Sequence, residues 1–139
     1  MISRDVRIIG KLSKQLPTLA NDTDGGHLQP PNLRDPPDQA RLPRFRSLSS
    51  QDPELPVLEW DNSGLQTAAY LIESQSFESE RPAAWSDSAF ELVLQRAHGT
   101  IRVGAPFGVG MQPHRWRIWA IDKSGGTAIS GWRTINYTN

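Results

Sequence analysis

The chain has 139 residues, with 15 Lys and Arg balanced by 15 Asp and Glu. That length allows one ordinary domain, or a small domain with a tail. Zero net charge argues against bulk electrostatic binding to nucleic acid or to an anionic membrane. The lack of cysteine removes disulfides, thiolate zinc sites and cysteine nucleophiles.

Composition changes near residue 56. Residues 1–56 hold 8 of the 11 prolines and a single aromatic, Phe45, whereas residues 57–139 hold the other 10 aromatics, including all five tryptophans. The second part can bury a core; the first offsets its ordering entropy poorly. The sequence therefore predicts an extended, Pro-rich N-terminal arm over 1–56 and a β-domain over 57–139. Val6, Ile8, Ile9 and Leu12 are interrupted by Arg7 and Lys11, so no export signal is expected there.

Within the arm, residues 5–12 read either as a loose terminus or as a strand that adds to a partner's open sheet edge. Residues 13–20 allow a turn of helix cut short by Pro17. The Asp-rich 21–26 stretch lacks calcium-loop spacing. From Pro30 to Pro56 the prolines fix φ and delete amide donors, which excludes helix and central strand. Such a segment suits docking along another protein, with Leu33, Leu42, Phe45 and Leu48 as anchors beside Val6, Ile8, Ile9 and Leu12. A plain linker is the competing reading.

From residue 57, short alternating runs are separated by turn signals. Residues 57–60 put Leu58 and Trp60 on one face, and 69–74 do the same for Tyr70 and Ile72. Residues 78–87 read as a loop or ragged edge. The 90–95 run groups Phe90, Leu92 and Leu94, and 100–103 is another short strand. His114 to Asp122 points Trp116, Ile118 and Ala120 one way and Arg115, Arg117, Trp119 and Ile121 the other. A turn at 123–126 precedes a last strand, 127–138, bent at Gly131. The expected core is thus Leu58, Trp60, Tyr70, Ile72, Trp116, Ile118 and Ala120.

Three pieces, Leu58-Glu59-Trp60, Tyr70-Leu71-Ile72-Glu73 and the 115–125 run ending in Asp122-Lys123-Ser124-Gly125, follow one another in order. In this the chain resembles a bacterial or phage fibronectin type III module over residues 56–139. The resemblance implies an all-β, antiparallel fibronectin type III-like β-sandwich with the three pieces on its second, third and sixth strands. It also implies a corner tyrosine six residues before Ala120, where this chain has His114.

The chemistry-bearing residues form no familiar catalytic pattern. His27, His98 and His114 lie in separate segments without metal-ligand spacing, and no Gly-x-Ser-x-Gly elbow or P-loop occurs. Neither enzyme activity nor a cofactor or metal is expected. Trp119, Trp85 and Trp132, with Arg115 and Arg117, are the candidate surface residues. They suit a Trp–Arg ladder, a protein interface or stacking on a glycan. The leading expectation is a multi-copy structural protein on a virion surface, such as a decoration, neck or tail protein, whose arm docks on neighbouring protein subunits. A glycan-binding or adhesion module is one alternative. An accessory subunit at the extracytoplasmic face of a bacterial complex is the other. Nucleic acid and direct membrane insertion are not expected.

Overall fold

A computed structural model describes residues 28–45, 54–64, 66–78, 83–94, 99–108 and 110–138. Among these the chain is all-β, with no helix. The strands are β1 (Leu33–Asp35), β2 (Ala40–Pro43), β3 (Val57–Asp61), β4 (Thr67–Glu78), β5 (Ala84–Leu94), β6 (Thr100–Gly104), β7 (His114–Asp122), β8 (Thr127–Ile129) and β9 (Arg133–Thr138).

They form two sheets. The smaller has the order β1-β3-β6 and the larger β2-β9-β7-β4-β5, with β8 on β7. Every pairing is antiparallel except β2 with β9, which is parallel. Both sheets contribute to one core: Leu58, Trp60 and Ile101 from the smaller, and Tyr70, Ile72, Trp116, Ile118, Ala120 and Ile135 from the larger. The inward set on β7 is every second residue, because successive side chains in a strand point to opposite faces. Trp60 meets Tyr70 edge-on at 5.5 Å between centroids, within the range aromatic pairs prefer. The Tyr70 hydroxyl accepts the Ser63 N–H at 2.7 Å, so burying the ring does not orphan its oxygen.

Residues 28–45, read from sequence as part of an extended arm, belong instead to the fold. Leu28 and Leu33 are buried in the shared core and Leu42 packs against it. The prolines shape this outcome without preventing it. A strand with missing amides fits at a sheet edge, and β1 and β2 are both edges. The chain passes from one sheet to the other over residues 36–39, with a cis Asp35–Pro36 bond and Gln39 at φ 62°. Arg133 on β9 clamps this passage, donating to the carbonyls of Leu33 at 2.7 Å, Pro36 at 2.8 Å and Arg34 at 3.0 Å. The Asp38 carboxylate accepts the Thr134 N–H at 2.8 Å. A boundary at residue 56 thus cuts through both sheets.

Residues 78–87 read from sequence as a loop or a ragged edge, and the structure decides between the two for 84–87. Residues 84–87 are strand, the start of β5, paired in a long hairpin with the end of β4. A register shift between Ser74 and Gln75 lets the hairpin continue, as a bulge does. Phe77 and Trp85 then face each other at 5.4 Å. The last strand is broken in two. Ser130 sits in the gap and offers its Oγ to the Ile118 N–H at 3.0 Å, replacing a backbone partner.

Candidate functional site

The outer face of the larger sheet gathers all five candidate surface residues. Arg115, Arg117 and Trp119 alternate along β7, Trp85 comes from β5, and Trp132 lies in the gap between β8 and β9. The guanidinium of Arg117 lies 5.5 Å from the Trp119 ring centroid and 4.1 Å from that of Trp132. Arg115 continues the series, 4.3 Å from Trp132 and 4.4 Å from Trp85. Residues two apart on a strand are separated by about 6.7 Å. One indole therefore fits between the two guanidinium groups, and Trp132 fills that space. The result is a ladder ordered Trp119, Arg117, Trp132, Arg115, Trp85, ending on Phe77.

Neighbouring strands hold the ladder from below. Glu73 on β4 is buried and accepts two bonds at one oxygen, from Arg117 Nε at 2.6 Å and from the Trp119 indole N–H at 2.7 Å. Gln75 accepts from Arg115 Nε at 2.8 Å and Nη2 at 2.5 Å, and donates to Asp87 at 3.1 Å. Burial lowers the Arg115 pKa from its ordinary value, helped by the like charge of Arg117 and opposed by Glu73. Each cation–π contact contributes about 0.5–2 kcal/mol, more as water is excluded.

Trp119 was expected to be an exposed ring beside arginines. It is instead only 2 % exposed. Leu71, Phe90, Ile121 and Ile129 pack with it into a second apolar cluster, and Arg117 caps it. A sugar has no open Trp119 face to stack on. Trp85 and Trp132 are half-buried. Of the arm anchors, Leu33 and Leu42 serve the chain's own core, and Phe45 is half-buried with Arg44 at 5.0 Å. Val6, Ile8, Ile9, Leu12 and Leu48 lie outside the described residues.

His114 is buried, stacked on Phe107 at 5.6 Å and edge-on to Tyr137 at 5.3 Å. Its Nε2 lies 3.4 Å from the Gly110 carbonyl and its Nδ1 has no partner. Burial lowers the imidazole pKa against the weaker opposing effect of Gly110, and burial pushes the Tyr137 hydroxyl up to about 12. Phe107 and Ala105 come from the turn-rich segment after β6 and close this end of the core. Sequence reasoning missed them, since an isolated aromatic among glycines shows no period.

Two features went unread in the sequence. One is Glu73 as the anchor of the ladder; an acid two residues after Leu71, on the same strand face, was the available signal. The other is the exposed pair Leu92 and Leu94, 52 % and 72 % exposed on edge strand β5. Among the described residues, no group of three or more His, Asp or Glu side chains is placed to hold a metal ion, and no helix is long and apolar enough to cross a membrane. Comparison with known proteins finds no matching family model, no matching curated protein and no matching solved structure.

Proposed function

We propose that this chain is a fibronectin type III-like β-sandwich acting as a non-enzymatic structural component of a larger protein assembly, with a phage virion as its setting. The strand order supports the fold part of the reading. A β1-β3-β6 sheet faces a larger one in which β7 lies between β9 and β4. The three motif pieces fall on β3, on β4, and on β7 with its turn. His114 supports it further, since its contact to the Gly110 carbonyl four residues upstream occupies the place of the corner bond. The virion setting and the absence of catalysis rest on the resemblance, an argument by analogy of fold.

One observation carries the functional part. The aromatic rings on the outer face are engaged by the chain's own arginines, while Leu92 and Leu94 project from the same sheet without cover. Exposed apolar surface beside an apolar cluster suits contact with another protein. The test is fractionation of the producing cells with an antibody to the chain. Co-sedimentation with assembled particles is the expected result. A monomer free in every fraction overturns the proposal.

A further inference from the structure

Besides the three-residue β8, which pairs only with β7, four strands end the two sheets, and they differ in how they discourage pairing. β1 has three residues and runs into Pro36; β2 has four and ends in Pro43. β6 has five and carries Arg102. Short length, proline and cationic side chains are the usual protections of an exposed edge. β5 has 11 residues, with neither Pro nor Lys nor Arg. From Phe90 to Leu94 it pairs with β4 in unbroken register, leaving its other side unpaired among the described residues. Leu92 and Leu94 face outward there, opposite Leu71 and Ala69, beside the cluster around Trp119.

Charge selects the occupant. The only charged residues of β5 are Asp87 and Glu91, both acidic, and Glu78 ends the neighbouring strand. Residues 4–14 carry four basic residues, Arg4, Arg7, Lys11 and Lys14, against the single acid Asp5. Between them, Val6 and Ile8 alternate with Arg7, and Ile9 and Leu12 add apolar surface. An extended segment of that pattern supplies backbone hydrogen bonds to an open edge and side chains to cover the exposed leucines.

The two ends of the larger sheet are well separated. The chain enters the fold at β1 and passes to β2, at the opposite edge of the larger sheet from β5. Four inter-strand steps of about 4.8 Å separate these edges by roughly 19 Å. A β5 edge of one copy filled by the N-terminal segment of the next is a head-to-tail contact, which propagates from copy to copy.

We propose that the free edge of β5, around Leu92 and Leu94, receives residues 5–12 of a second copy of this chain as an added strand. This rests on the assembly reading above and names the partner at that surface.

The native chain has no cysteine, so single thiols can be introduced cleanly. Full-length Ile8→Cys and Leu92→Cys proteins are mixed and allowed to oxidise in air. A cross-linked heterodimer is expected, and Ile8→Cys mixed with Lys123→Cys should give none. The double variant Ile8→Cys/Leu92→Cys should give a ladder of multimers on a non-reducing gel. Adding Leu94→Glu, at an exposed position that leaves the core untouched, should suppress both. No heterodimer, equal linkage to position 123, or only an internal disulfide in the double variant overturns the proposal. The experiment uses purified protein alone. Its failure is therefore distinct from failure to find the chain in particles.

Discussion

Two groups of large apolar side chains on one sheet face are used in opposite ways. In one, Trp85, Trp132 and Trp119 are interleaved with arginines and held by Glu73 and Gln75. In the other, Leu92 and Leu94 stand in solvent on an edge strand. A tryptophan draws the eye as a binding residue, yet its own neighbours occupy it here. The lesson is that the availability of a ring, rather than its size, decides whether a surface residue can meet a partner.

The largest effect that would break this contrast is expected at Trp119. Trp119→Ala removes a buried ring and should cost about 3–5 kcal/mol of stability by chemical denaturation. A near-neutral result would mean the ring is not structural. Glu73→Ala should follow at roughly 3 kcal/mol, because it strips a buried pair of one partner and leaves Arg117 and the Trp119 N–H uncompensated. Arg115→Ala breaks two ring contacts and should cost about 2 kcal/mol. A loss in Arg115→Lys nearly as large would show that the planar guanidinium matters to the ladder.

The closed end of the core offers a pH test of the same principle. His114 is buried with a depressed pKa, so below its ordinary value near 6.5 the unfolded chain binds a proton that the folded chain resists. Stability should therefore fall as pH drops through that value and level off above it. His114→Phe should flatten the dependence, and native-chain urea midpoints that do not move with pH across this range would refute the assignment. The smallest effect is expected at the exposed leucines. Leu92→Ser and Leu94→Ser should each change stability by less than about 0.5 kcal/mol.

Much of the architecture is readable in the sequence because alternation is local. Trp116, Ile118 and Ala120 form one face of β7 by position alone, and all three are fully buried. Arg115, Arg117 and Trp119 form the other face for the same reason. Proline also reads correctly as a bar to central strands, and β1 and β2 are edges. What proline does not reveal is whether an edge is used by its own chain or by another. Leu33 and Leu42 have the same spacing whichever core they enter. Residues 84–87 were equally opaque, since a polar strand in a hairpin is set by its partner β4 and by the bulge near Ser74.

The sequence by itself determined the all-β class, the inward and outward faces of β7 and the exclusion of thiol chemistry, since these follow from residue identity and a two-residue period. Only the tertiary structure decided that residues 28–45 complete both sheets, that Trp132 slots between two arginines, and that Trp119 is covered while Leu92 and Leu94 are not. Each of those outcomes depends on side chains many residues apart meeting across strands, and burial is a property of the neighbours rather than of the residue.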